Sequence, residues 1–325
     1  MPLQQAGRHL GLNSVSYACL IAQAALLIVV VIAYRLCGLS IVFDNQTVIR
    51  ASLTGIALAI WASFLIVPGR QRGWLTAEAA LAFVLLSMIT SIVVPGQYVA
   101  LAIGRPFIDE MLVRADAAIG IDVSAVLAWV RQHPRLLATI QWAYATLPLQ
   151  ILLAAPILRI LRDRDALWEF VFHYHFCLIV ALVASALWPV AGPYQWFGYS
   201  TPLDLSRVIT QVNGFHDGTL TVVQWSELDG LISNPSFHTA TGLYATWVLR
   251  RRRWLMAPML AINCLLILAT VLMGIHYAMD TIAGGLVCAL SCLTYPVLGR
   301  RLGLEAPVAR LKTGEPQPDP SAAGT

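Results

Sequence analysis

The chain has 325 residues, 58% of them hydrophobic and only 12% charged, against roughly 25% charged residues in soluble domains, which excludes an ordinary soluble globular protein. Its net charge of +4 comes from short basic clusters set between long apolar runs, a pattern that marks membrane topology and argues against a nucleic-acid partner. The six cysteines (Cys19, Cys37, Cys177, Cys264, Cys288 and Cys292) lie in or beside apolar runs without the paired spacing of a zinc site or a disulfide framework, and read as packing residues.

A helix needs about 20 apolar residues to cross the hydrocarbon core. Runs of that kind, bounded by charges or turn residues, predict about eight spans: 15–36, 51–68, 74–95, 136–158, 167–190, 236–250, 254–273 and 275–297. The first is too long for the apolar region of a signal peptide and reads as a retained helix. Between the third and fourth, residues 104–135 mix charge with apolar residues at helical spacing (Met111, Leu112, Ala115, Ala118, then Val123, Val126, Leu127, Val130), which predicts amphipathic interfacial helices. Residues 191–235 are rich in Gly, Pro, Trp and polar side chains and suit a loop capping a site. The fold class is therefore all-α, a polytopic transmembrane bundle. Its expected organisation is accessory helices in 1–73, a six-helix core in 74–298 and a disordered cytoplasmic tail in 299–325.

Arginine placement sets the expected orientation, because loops on the cytoplasmic side carry the excess of positive charge. An inward N-terminus puts Arg8, Arg70, Arg72, Arg159, Arg162, Arg164, Arg250 to Arg253, Arg300, Arg301, Arg310 and Lys312 inside. Arg35 and Arg50, beside the first outer loop, run against the trend. An even number of spans returns the C-terminus to the same side.

Ionisable groups bordering a span are costly and mark function. His238 lies in Asn234-Pro235-Ser236-Phe237-His238-Thr239-Ala240, at the outer start of the sixth span, and His276 in Gly274-Ile275-His276-Tyr277-Ala278-Met279-Asp280, at the outer start of the eighth. His276 and Asp280 are four apart, so on a helix they share a face, and the carboxylate can hold the imidazole in the tautomer that frees its other nitrogen. Ser236 and His238 open a helix, where free N–H groups and the positive end of the dipole favour a phosphate. The arginine topology puts both histidines on one side of the membrane. His173 and His175 sit in the other half of the fifth span and read as bundle packing. His216, Asp217, Glu227 and Asp229 read as solvated loop residues, and Trp74, Trp188, Trp196 and Trp254 as interfacial anchors.

These motifs resemble the type 2 phosphatidic acid phosphatase (PAP2) superfamily, whose members carry Pro-Ser-x-His and a later His-x-x-x-Asp. The stretch from Met273 to Gly284, the bulky Phe237 between Ser and His, the turn Trp188-Pro189-Val190-Ala191-Gly192-Pro193-Tyr194, and the segment with Asp109, Asp116 and Gly120 are similar to its inositolphosphotransferase-like branch, related to inositol phosphorylceramide synthases. The resemblance spans roughly 75–298. It implies that His276 forms a phospho-histidine oriented by Asp280, that His238 protonates the leaving oxygen and then activates the acceptor, and that Ser236 binds a phosphate oxygen. It implies no metal and no cofactor. Two features depart from the family pattern: Ala269-Thr270 stands where a Ser-Arg pair is usual, and Arg105-Pro106 is only a partial echo of the first motif. A pentavalent phosphorus needs positive charge around its equatorial oxygens, and Arg207, then Arg105, are the candidates to supply it.

The expected function is thus a lipid phosphatase or phosphotransferase acting on a phospholipid or polyprenyl phosphate. Transfer of a head group such as phosphoinositol is one form, and a plain phosphatidate or polyprenyl diphosphate phosphatase the alternative. A non-catalytic lipid-binding or transport protein is the rival of another class, although internal inverted repeats, which would favour transport, are absent from the sequence. Compact loops point to a bacterial inner membrane, with both termini cytoplasmic and the site facing the periplasm.

Overall fold

The first helix, α1 (Ser14–Leu36), opens on a reciprocal cap: Ser16 N–H donates to the Asn13 side chain at 2.8 Å, and Asn13 N–H to the Ser16 hydroxyl at 2.9 Å. This computed structural model describes residues 13–44, 72–199 and 203–301. In chain order there follow a strand β1 (Ser40–Val42), α2 (Arg72–Ala102), α3 (Asp109–Ala118), α4 (Val123–Arg131), α5 (Pro134–Ala145), α6 (Leu147–Ile160) and α7 (Arg164–Leu187). The second part holds α8 (Pro193–Trp196), α9 (Ser206–His216), β2 (Val222–Gln224), a 3-10 turn (Trp225–Glu227), α10 (Phe237–Trp247), α11 (Arg253–Leu272) and α12 (Ala278–Arg301).

Five described helices are long and apolar enough to cross a membrane: α1, α2 from Glu78, α7, α11 and α12 to Leu298. These correspond to the predicted spans beginning at 15, 74, 167, 254 and 275. The predicted span 51–68 lies outside the described residues. The span expected over 136–158 is broken into α5 and α6, bent by 43°, and counts as one crossing only if the pair is taken together. Pro148 explains the break, since at the second position of α6 it has no N–H for the carbonyl four residues back. The span expected over 236–250 is the 11-residue α10, about 16 Å long at 1.5 Å per residue, short of the ~30 Å hydrocarbon core. The all-helical reading also missed a short parallel pair, β1 with β2, in register Ser40↔Val222 to Val42↔Gln224.

In lipid, helices associate by close packing and polar contacts and not by apolar burial alone. Leu85, Ile89 and Val93 of α2 meet Phe170, Val171 and Cys177 of α7 and Tyr244 of α10 in one buried cluster. Polar rungs cross it. Gln23 donates to the Leu85 carbonyl at 2.8 Å, Thr90 and Tyr174 hydroxyls pair at 2.7 Å, and Asn263 of α11 donates to the Gly242 carbonyl at 2.9 Å. His175 joins these, with a ring nitrogen 2.6 Å from Gln23 Nε2.

Away from the histidine motifs, the arginines of the α6–α7 and α10–α11 connections meet acids. Glu78 takes Arg159 at 3.1 Å and Arg164 at 2.5 Å, and Glu169 takes Arg250 and the Trp247 indole, each at 3.0 Å. His173 lies 3.6 Å from Glu169. The far end of the bundle is therefore tied by paired charges, which leaves the opposite end to be shaped by α3, α4, α8 and α9.

Candidate active site

The turn between α11 and α12 sets His276. Ile275 N–H donates to the Thr270 carbonyl at 3.2 Å and Gly274 N–H to the Val271 carbonyl at 2.9 Å, the paired bonds that close a helix through a left-handed residue. That residue is Gly274, at φ +70°; a Cβ there would meet the Tyr199 ring at 2.7 Å as well. His276 N–H adds a third bond, to the Thr270 carbonyl at 2.9 Å. Thr270, at the place where the family usually carries arginine, is fully buried, and its hydroxyl bonds the Ile267 carbonyl and Thr281. It shapes the turn and brings no charge.

His276 is 2% exposed and Asp280 is fully buried, with Nδ1 of the ring 3.7 Å from Oδ2 of the carboxylate. That exceeds hydrogen-bond length, and both His276 Nδ1 and Asp280 Oδ1 lack a partner; catalytic hydrogen bonds are commonly long before substrate binds and tighten afterwards. In this turn between spans, burial lowers the His276 pKa to about 4, while the Ser233 carbonyl acts the other way. The ring is therefore neutral at pH 7, as a nitrogen nucleophile must be.

The second histidine arrives on α10. Ser236 caps this helix, its hydroxyl accepting from Thr239 N–H at 3.3 Å and from the Thr239 hydroxyl at 3.1 Å. Ser236 N–H donates to the Asp280 carbonyl at 3.0 Å and locks the start of α10 to the first turn of α12. Close approach is possible because residue 284 is glycine: a Cβ there would lie 2.3 Å from the Ser236 carbonyl oxygen. As a result the His238 and His276 rings stand 6.0 Å apart, centroid to centroid. The Tyr144 ring stacks on His238 at 4.4 Å.

Two acids on α3 support the same turn. Asp109 accepts from Ala191 and Gly192 N–H at 2.9 Å each and from the Tyr277 hydroxyl at 3.0 Å. Asp116 accepts from Ala278 and Met279 N–H, also at 2.9 Å each. Both are buried. The capping loop is held from α2, where Gln97 accepts from Leu231 N–H at 2.5 Å and Ile232 N–H at 2.9 Å.

Ser236, His238, His276 and Asp280, singled out from sequence, are thus brought together, and the two expected cations are not. Arg207 is 58% exposed and forms a two-pronged pair with Asp229 at 2.5 and 2.9 Å, which raises its pKa. Arg105 is exposed and reaches the Leu187 carbonyl at 3.4 Å. His216, read as solvated, stacks on Phe107 at 3.9 Å and bonds the Arg105 carbonyl at 2.8 Å. Sequence reasoning missed Tyr144, which looks like any aromatic in a span, and the support role of Asp109 and Asp116, whose pairing with buried N–H groups has no local signal.

A neutral imidazole with a carboxylate behind it, a second imidazole across a narrow gap and a helix start beside both can carry a phosphoryl group and move the protons this requires. The family model of the PAP2 superfamily matches residues 110–294, a stretch that includes Asp116, Arg207, Ser236, His238, His276 and Asp280 and leaves out Arg105 and Asp109. Comparison with curated proteins and with solved structures finds no match. As the match covers more than half of the chain and both histidine motifs, the chain belongs to the PAP2 superfamily, a membership that points to a phosphatase-type enzyme.

Proposed function

We propose that this protein cleaves a lipid-linked phosphoester through a phospho-histidine on His276, and passes the phosphoryl group, or a phospho-head group such as phosphoinositol, to water or an alcohol. The observation that carries the proposal is the facing pair of His238 and His276 with Asp280 behind the second ring. His276 Nε2 attacks phosphorus, the bond to the lipid alcohol breaks, and His238 delivers a proton to the departing oxygen. Acceptor oxygen then attacks the phospho-histidine, its proton returns to His238, and the phosphorus–nitrogen bond breaks. Asp280 orients His276 and balances the positive ring. Ser236 and the start of α10 hold phosphate oxygens, with Arg207 or Arg105 supplying charge only after leaving its present partner. No metal or cofactor enters the scheme.

An apolar groove of about 270 Å³ supports a lipid substrate. It runs between α6, α10 and α11, lined by Leu149, Leu153, Ile157, Ala245, Val248 and Met259, and its lining includes Trp142 and Thr146, which flank in sequence the Tyr144 that stacks on His238. Its apolar lining suits it to an acyl or isoprenoid chain. The sequence pattern favours a bacterial inner membrane, with both termini cytoplasmic and the site on the periplasmic face.

Release or transfer of labelled phosphate is to be measured on a panel of phospholipids and polyprenyl phosphates, with and without inositol, for the purified protein and for His276→Ala. Turnover that is lost in His276→Ala and a labelled phosphoenzyme at His276 are expected, and the product identifies the acceptor. Turnover by His276→Ala at the native rate would refute the mechanism. Folded native protein inactive on the whole panel would favour the non-catalytic lipid-binding reading.

A further inference from the structure

We propose that Asp116 is a positioning residue for the His276–Asp280 pair: by capping the first turn of α12 from a separate helix, it leaves the Asp280 carboxylate free to face His276. This rests on the phospho-histidine reading above.

A helix start exposes N–H groups that have no partner within the helix, and an acid in the first turn is normally drawn to them. Asp280 is the only acid that α12 carries in its first turn. Yet it serves a single N–H, that of Tyr277, through Oδ2 at 3.0 Å. The same Oδ2 is the atom 3.7 Å from His276 Nδ1, and Oδ1 has no partner. The donors that would compete for Asp280 are those of Ala278 and Met279, and Asp116 takes one on each oxygen, at 2.9 Å.

Asp116 comes from α3, more than 160 residues away in sequence, and is 1% exposed. Burial raises its pKa above the usual carboxylate value, and the two N–H bonds offset only part of that rise. An asparagine at 116 has one carbonyl oxygen, and its amide would point a donor at a donor. One N–H of α12 would then be left buried without an acceptor, which is costly, and Asp280 is the acceptor on the same turn. Turning Asp280 towards that N–H withdraws it from His276.

The test is a double-mutant cycle of Asp116→Asn and Asp280→Asn, scored by kcat and KM on whichever lipid phosphate the native protein turns over, with His276→Ala as control and size exclusion in detergent to verify folding. Expected is a roughly ten- to hundred-fold fall in kcat for Asp116→Asn, the range of a displacement of about 1 Å, with KM changed by less than about threefold. In the Asp280→Asn background the same substitution should cost less than about threefold, because residues acting as one unit are not additive. Equal losses in both backgrounds, or none in the native background, would overturn the proposal and leave Asp116 as packing. Binding of orthovanadate, followed by tryptophan fluorescence, repeats the cycle without a lipid: affinity should fall with Asp116→Asn only where Asp280 is present. Native turnover by His276→Ala would instead remove the phospho-histidine reading, whereas an inactive His276→Ala beside a fully active Asp116→Asn would sink this inference alone.

Discussion

Gly284→Ala probes the contact that brings the two histidines together. The added Cβ would lie 2.3 Å from the Ser236 carbonyl oxygen and 3.1 Å from both the Ser236 carbonyl carbon and Thr239 Cβ, where ordinary contact begins at 3.4 Å. Two of these three atoms are backbone, so no side chain can swing aside, and the start of α10 has to retreat from α12 by about 1 Å. The clash should also cost stability. Overpacking costs about 1–3 kcal/mol and loss of the Ser236 N–H bond to Asp280 about 1 kcal/mol, while alanine regains about 1 kcal/mol of helix propensity. The net is a destabilisation of about 1–3 kcal/mol. Activity should fall as well, because a 1 Å displacement of Ser236 and His238 from His276 is worth about 100-fold in rate, or about 2.7 kcal/mol of barrier. The neighbouring Gly285 provides the control, since its Cβ would meet only Leu243 Cδ1 at 3.8 Å. Gly285→Ala should keep native turnover and gain up to about 1 kcal/mol. Thermal midpoints in detergent and initial rates on a lipid phosphate read both effects. A Gly284→Ala protein with native turnover would show that the approach of α10 to α12 does not govern the chemistry.

Three further outcomes follow from the same geometry. His238→Ala should lower kcat by about 10²–10⁴-fold, the usual worth of a general acid–base group, while retaining a His276 that is slowly labelled from a substrate with a good leaving group; quench-flow detection of the phosphoenzyme reads this. Arg207→Ala should leave kcat/KM within about threefold of native if the guanidinium stays with Asp229 during turnover; a tenfold or larger fall would show that it leaves that partner to supply charge to the phosphate. Leu153→Trp, which fills the groove beside α6, should raise KM for long-chain lipid phosphates by about tenfold, a loss of about 1.4 kcal/mol, and leave a short-chain soluble ester unaffected, as comparison of the two substrates would reveal.

The sequence is most legible where one physical requirement dominates. Long apolar runs without charge have to cross the membrane, and α1, α2, α7, α11 and α12 follow that rule. Local punctuation is harder to weigh: Pro148 lies inside the span predicted over 136–158, yet it divides α5 from α6. The four arginines after Trp247 read as a topology anchor, and in the structure the first of them, Arg250, pairs with Glu169 just beyond the end of α10. At the site, Ser236, His238, His276 and Asp280 stand out because polar groups at helix starts are costly in lipid. The partners of Asp109 and Asp116 are backbone N–H groups more than 80 residues away. A backbone donor has no residue type, so no pattern along the chain reveals that contact.

The two helix starts that meet at the histidine pair are electrostatically unlike. At α12 the donors of Tyr277, Ala278 and Met279 are consumed by Asp280 and Asp116, so the positive end of that helix is already met by carboxylate. At α10 the cap is a neutral serine, and the N–H groups of Phe237 and His238 precede the first bond inside the helix, from Ala240 to the Ser236 carbonyl. On the proposed reading, the carboxyl groups of Asp109, Asp116 and Asp280 lie on the α12 side, which leaves the start of α10 as the side for a phosphate. The proposed mechanism would seat phosphorus between the start of α10 and the nitrogen of His276 turned away from Asp280. On that proposal the anion and the acid behind the nucleophile are served by two different helices, and Gly284 is the residue that lets them touch.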